Sequence, residues 1–338
     1  MARLTSVTNS KLLPKLVDTI LGSNVFATRM LTKAQKWSGE KIQKSVKVSK
    51  NTQGSSFDGL DTFSTGAVDT RQKMEFEAKF YEIPVVVPIT ELSKNRADKD
   101  RIVDLANIEL ASTAEDMADD IGTQFYADGT GNSSKNFLGL EGIVDDGTNV
   151  ATYGGLSRTT YSTLNSTVTA SSGTLTLAKM ATLHSAISSG SVKPTLGVCS
   201  ETIFNLYEQL LQPQERIAKD VPMMRGTNMV GGTGFTGLFY KGFPIVADEK
   251  ATSGVLYFLN EDFLEWRALP MAETTPVNFG VADIEGNDYT NVQGLGFSWS
   301  NWIKPTNQAS IIGHVYLGGQ LWSSNPKRHG KLTGVTSV

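Results

Sequence analysis

Residues 41–127 constrain this chain more than any other stretch, because a charged β-hairpin runs into a helix of nearly thirty residues. The segment Lys41-Ile-Gln-Lys-Ser-Val-Lys-Val-Ser-Lys50 alternates at period two, with Ile42, Val46 and Val48 on one face and Lys41 and Lys47 on the other. A second arm alternates likewise. Met74, Phe76, Ala78 and Phe80 point one way, and Glu75, Glu77 and Lys79 the other. A Gly/Ser/Thr/Asp loop, Asn51 to Thr70, separates the arms. An isolated two-stranded ribbon is marginal in water, so the apolar face must lie against something. The sequence points to another copy of the chain.

The helix is expected from about Asp98 to Tyr126. Val103, Ala106, Leu110, Ala114, Met117, Ile121 and Phe125 recur at steps of three and four. Asp98 and Asp100 suit its N-terminus, and Asp128-Gly-Thr-Gly131 ends it. Its other face is acidic, through Asp104, Glu109, Glu115, Asp116, Asp119 and Asp120. Upstream, residues 1–35 read as an extended arm with a short helix near Lys15–Leu21.

Charge is unevenly placed. Ten Lys/Arg within residues 1–56, Arg3, Lys11, Lys15 and Arg29 among them, stand against only Asp18 and Glu40. That segment carries +8 in a chain whose net charge is −3, which leaves −11 for the remainder. One reading is a basic tail for nucleic acid. The preferred reading is a basic arm facing the acidic body of a neighbouring copy, since opposite patches steer and register assembly.

Beyond residue 130 the order is mixed: a helix over 175–188, a buried strand over 194–200, and a helix Glu201–Leu211 capped by Ser200. Strands follow at 238–248, 254–260, 294–302 and 309–317. Without regular βαβ alternation, the fold class is α+β. The one cysteine, Cys199, gives no disulfide framework, and no apolar run is long enough to span a bilayer. The N-terminus lacks a secretory apolar region.

Enzymatic motifs fail on context. Gly232-Thr-Gly-Phe-Thr-Gly237 matches a dinucleotide fingerprint, but a strand follows it where a helix is needed. Residues 226–233 resemble a P-loop without the phosphate-binding lysine. His184, His314 and His329 are far apart and follow no zinc spacing, Cys199 sits in an apolar strand, and Asp283–Asp288 lacks calcium-loop spacing. No catalytic, cofactor-binding or metal residue is assigned.

Taken in order, these parts resemble the major capsid proteins of tailed bacteriophages (the Hong Kong 97-like capsid fold). The likeness rests on the basic arm, the charged hairpin, the long acidic helix, the middle segment Pro194–Leu211 and the run Lys241-Gly-Phe-Pro-Ile-Val-Ala-Asp248 before Gly254-Val-Leu-Tyr-Phe-Leu-Asn260. The resemblance implies an N-terminal arm (1–35) and an extended loop (36–88) that lies over the neighbouring subunit. It implies a peripheral domain (89–139) with a spine helix (98–127), an axial domain (140–250), and a return to the peripheral domain (251–338). The intersubunit residues would be Ile42, Lys44, Val46, Lys47, Val48, Met74, Phe76 and Phe80. Implied partners are further copies in pentamers and hexamers, a separate scaffolding protein, a portal protein, decoration proteins and packaged double-stranded DNA, with no membrane and no cofactor. The implied location is the virion, after assembly in the host cytoplasm. Two alternatives stand beside it: an encapsulin-type nanocompartment shell, and a β-rich tail or adhesin-type protein.

Overall fold

A computed structural model describes residues 24–37, 39–94, 99–170, 172–211, 237–269, 275–276, 296–300 and 302–337. The expected helix at Lys15–Leu21, the charges Arg3, Lys11 and Lys15, the P-loop-like segment, nearly all of the glycine fingerprint and Asp283–Asp288 lie outside these residues.

Two sheets organise the chain. The strands used below are β1 (Gln35–Lys36), β2 (Lys41–Lys47), β3 (Arg71–Glu77), β4 (Lys79–Pro88), β5 (Thr167–Thr169), β6 (Leu196–Cys199), β7 (Gly237–Tyr240), β8 (Phe243–Ala247), β9 (Leu256–Leu259), β10 (Leu264–Ala268), β11 (Thr275–Pro276), β12 (Phe297–Trp299), β13 (Ser310–Ser323) and β14 (Gly330–Leu332). The first sheet has the order β1-β10-β13-β12-β11, with β4 also paired to β13. The second has the order β7-β8-β6-β9-β14-β5. The helices used below are α1 (Val25–Thr32), α2 (Lys99–Tyr126), α3 (Leu177–Ile187) and α4 (Glu201–Leu211).

The 28 residues of α2 make a rod of about 42 Å at 1.5 Å per residue. Its apolar stripe ends in Met117, Ile121 and Phe125, all fully buried. Phe125 packs against Trp266 and Phe137, with ring centroids 5.2 and 6.4 Å away. This aromatic knot ties α2 to the first sheet.

β13 is the hub. Ten of its residues pair antiparallel with β4, from Ser310↔Pro88 to Gly319↔Lys79. Its last five pair with β10. Pro84 is tolerated inside β4 because, among the described residues, that strand pairs on one side only.

Three expectations need correction. First, residues 25–32 form α1 and not extended arm, with Phe26 buried against Phe125 and Tyr126. Asp248 Oδ2 accepts a hydrogen bond from Phe26 N at 2.9 Å and so supplies the helix cap. The side chain of Asn24, at the cap position, instead donates to Ala118 O at 2.9 Å. It can do so because Gly122 leaves room: a Cβ there would lie 2.4 Å from Asn24 Nδ2. Second, the hairpin's second arm starts earlier than expected and breaks at Ala78. Inward positions are even before the break (Met74, Phe76) and odd after it (Val85, Val87). A one-residue shift flips every side chain to the other face, which puts Phe80 outward at 48% exposure. Third, Ser200 precedes α4, but its buried Oγ has no hydrogen-bond partner among the described residues, the backbone of α4 included, so it is no side-chain cap.

Candidate assembly surface

The hairpin pairs Lys41↔Glu77, Ile42↔Phe76, Lys44↔Met74, Val46↔Gln72 and Lys47↔Arg71. Seven residues at about 3.3 Å each make a ribbon of roughly 23 Å, shorter than ten-residue arms would give. Its base is clamped to its own chain. Phe76 sits between Tyr153, 5.1 Å between centroids, and Trp322, 5.8 Å away. Glu75 N donates to Gly154 O at 3.0 Å. Gly154 has φ +56°, and a Cβ there would lie 2.9 Å from Met74 Cβ. Glycine at this turn therefore lets the ribbon seat.

Met74, Phe76 and Val48 are accordingly buried within the chain, and Ile42 and Val46 half-buried. The expectation that a second molecule completes the whole apolar face fails for Met74, Phe76 and Val48. Their cover comes from residues 152–157, Trp322 and the segment around Thr163, remote in sequence from residues 41–80. Lys44 and Lys47 remain exposed.

Besides Phe80 and Val86 on β4 and Ile303, the large exposed apolar side chains lie in the loop at the tip. Phe57, Leu60 and Phe63 are 65%, 101% and 64% exposed, and the two phenyl rings touch edge to face at 5.0 Å. Sequence reasoning treated residues 51–70 as a polar connector. The signal it passed over was three large apolar residues at spacing three in a loop otherwise built of Gly, Ser, Thr and Asp.

The charges divide in a similar way. At the base of the ribbon Lys41 pairs with Glu77 (3.0 Å) and Lys73 with Glu75 (2.7 Å). Exposed pairs of this kind contribute ~0–1 kcal/mol. Arg29, expected as an arm charge facing a neighbour, is buried in α1 and pairs with Glu261 at 2.8 Å. Burial opposes ionisation of Glu261, but Arg29 and Lys33 outweigh it and hold the carboxyl below the ordinary glutamate range. On α2, Asp119 pairs with Lys250 and Asp120 accepts from the Tyr81 hydroxyl. Glu115 and Asp116 are exposed, Glu109 is half-buried, and the Asp104 side chain lies outside the described set.

Buried polar clusters were the other places where chemistry could sit. His329 is wholly buried; Asn260 N donates to its Nδ1 at 3.2 Å, and its Nε2 lies 2.7 Å from Ser323 Oγ. With Nδ1 accepting, Nε2 carries the proton and donates to Ser323 Oγ, so this imidazole cannot take a proton from the serine. Burial holds its pKa down to about 3. Arg158, also buried, donates to the carbonyls of Gly142, Ile143 and Asp145 and stacks over Tyr153. Burial pushes the Cys199 thiol up to about 12, away from thiolate chemistry. His184 stacks on Phe243 and His314 lies 2.7 Å from Glu82, so the histidines do not converge. Among the described residues no group of three His, Cys, Asp or Glu could hold a metal ion, and no helix is long and apolar enough to cross a membrane.

No protein-family model matches the chain, and no curated protein matches its sequence. Solved structures do match its fold. A chain of the cyanophage A-1(L) capsid asymmetric unit aligns at a TM-score of 0.66 and 14% identity, over 93% of each chain. This is the Hong Kong 97-like capsid fold. The same fold appears in the SrpI encapsulin complex of Synechococcus elongatus, at a TM-score of 0.55 and 11% identity over 92% of this chain and 87% of that one. The capsid of a native GTA particle aligns at 0.51 and 10% identity, over 92% and 91%.

Proposed function

We propose that this protein is a major capsid protein. It self-assembles as pentamers and hexamers into an icosahedral or prolate shell that encloses double-stranded DNA. The observation that carries the reading is the tip of the ribbon. Phe57, Leu60 and Phe63 stand exposed at the end of a ribbon whose base is locked to its own body. Exposed aromatic and leucine side chains grouped in one loop are a poor design for a lone molecule and a good one for gripping a neighbour. Heterologous contacts of this type close into rings when the rotation permits.

In this reading residues 1–35 are the N-terminal segment and 36–88 the extended loop. The peripheral domain comprises 89–139 and 251–338, and the axial domain 140–250. The chain acts as a structural tile rather than an enzyme. Its partners are other copies, a scaffolding protein, a portal, decoration proteins and DNA, and its place is the virion after assembly in the host cytoplasm. The test is electron microscopy and sedimentation of the purified protein. Closed shells are expected. Monomers or small closed dimers alone, at high concentration, would overturn the proposal.

An encapsulin-type shell is the alternative with the same fold; the match to SrpI, at a TM-score of 0.55, ranks below the phage-capsid match at 0.66 and does not favour it. Particle contents separate the two: a co-purifying cargo protein in place of packaged DNA would select the encapsulin.

A further inference from the structure

The chain has three Asp-Gly pairs, Asp58–Gly59, Asp128–Gly129 and Asp146–Gly147. In such a pair the glycine nitrogen can add to the aspartyl side chain, because no Cβ obstructs the approach. The structure separates the three. The Asp128 carboxylate turns past its neighbour and accepts from Thr130, the backbone N at 2.9 Å and the hydroxyl at 2.8 Å. Gly129 itself is packed, since a Cβ there would lie 3.0 Å from Leu138 Cα. The Asp146 carboxylate accepts from Thr148 N at 3.0 Å, and Gly147 N is taken by Asp145 Oδ2 at 2.8 Å. Both of these pairs are half-buried.

Asp58 alone of the three reaches its own neighbour. Gly59 N donates to Asp58 Oδ1 at 2.7 Å. The nitrogen and the side-chain carbonyl carbon are thereby held near the ~3–3.5 Å separation from which bond formation proceeds. A turn fixes the arrangement: Asp58 N donates to Asp61 Oδ2 at 2.8 Å, and Asp61 N to Asp58 O at 2.9 Å. Asp58 and Gly59 are both exposed, so water reaches them.

We infer that Asp58–Gly59 is a self-modification site at which the backbone rearranges to isoaspartate. Gly59 N adds to Cγ of the neutral carboxyl while its proton passes to Oδ1. The tetrahedral carbon then expels one oxygen as water, which leaves a five-membered succinimide. Water reopens the ring at either carbonyl. Attack at Cγ breaks the new N–Cγ bond and restores aspartate. Attack at the Asp58 backbone carbonyl breaks the original peptide bond, and the chain then runs through Cβ and Cγ. One water is lost and one gained, with no oxidant or other reactant. The product places an extra backbone atom between Phe57 and Leu60, two of the exposed apolar side chains of the loop. One consequence rests on the shell reading: a free subunit loses its gripping surface with age.

The test uses the full chain as wild type, Gly59→Ala and Asp58→Glu, each incubated in mildly acidic buffer and mapped by peptide mass spectrometry. Succinimide is read as the loss of one water, and isoaspartate by electron-driven fragmentation. Both variants suit the native loop. A Cβ at residue 59 would meet nothing within 4 Å, and glutamate keeps the charge but cannot close a five-membered ring. Isoaspartate is expected at residue 58 roughly tenfold faster than at 128 or 146. Gly59→Ala should slow it roughly tenfold, and Asp58→Glu should abolish it. Equal rates at the three pairs, or a rate at residue 58 that Gly59→Ala leaves unchanged, overturn the inference. Aged wild-type subunits should then fail to form particles while aged Asp58→Glu subunits still do; equal loss in both overturns the link to assembly. Fresh wild-type protein that forms no particles overturns the shell reading itself and leaves the chemical result standing.

Discussion

Phe76 meets Tyr153 edge to face, with ring centroids 5.1 Å apart and an interplanar angle of 67°. That contact divides the hairpin into a root packed on its own body and a loop whose large apolar side chains stand exposed. The division has consequences that can be measured.

Truncating the root should damage the subunit itself. Phe76→Ala removes a buried ring from between Tyr153 and Trp322 and is expected to cost about 3–5 kcal/mol of stability. Denaturant unfolding of dissociated subunits measures it. At the tip, Leu60→Asp touches no core and should shift stability by about 0.5 kcal/mol or less, yet abolish particles. Equal effects of the two substitutions on subunit stability would refute the division.

Gly154→Ala tests how the root is seated. The left-handed φ of +56° is strained for alanine, and the new methyl would meet Met74 Cβ at 2.9 Å. A loss of about 1–3 kcal/mol is expected, with faster proteolysis around residues 41–77.

Acid should weaken the fold through His329. Its folded pKa is held down to about 3 by burial, against an ordinary value near 6.5. The unfolded chain therefore binds a proton that the native state refuses. The stability this group confers is fully present above about pH 6.5 and is lost as pH falls toward about 3, at up to ~1.4 kcal/mol per pH unit. His329→Gln should flatten that slope in denaturant titrations at pH 4–6.

Glu261→Gln should be destabilising, by about 1–3 kcal/mol, because it removes the carboxylate charge that lies 2.8 Å from the buried guanidinium of Arg29 and 3.3 Å from Lys33 Nζ. Melting temperature against wild type provides the check. A loss under about 1 kcal/mol would mean that the pair behaves as a surface salt bridge.

The long acidic helix and the charged hairpin were legible because each carries an unbroken periodicity over many residues. The order of parts around them was distinctive enough to suggest the fold. What could not be read was cover supplied from far away. Nothing near Met74 and Phe76 announces Tyr153, Gly154 or Trp322, so the ribbon's apolar face read as belonging to a neighbour. The phase shift at Ala78 was equally hidden, since Met74, Ala78 and Phe80 keep an even spacing that only backbone pairing interrupts. Arg29 read as a free charge because its partner, Glu261, lies 232 residues away. The tip was overlooked for the opposite reason: Phe57, Leu60 and Phe63 recur at spacing three in a loop otherwise too rich in Gly, Ser, Thr and Asp to read as an element.

The ribbon continues into β4 across the single residue Ala78, and β4 lies along β13 through ten consecutive pairings. A pull on the tip therefore arrives parallel to those strands, as shear. Under shear the ladder shares the load over its whole length, where peeling would open it one bond at a time. Any load on the loop is thus delivered straight to the longest strand pairing among the described residues.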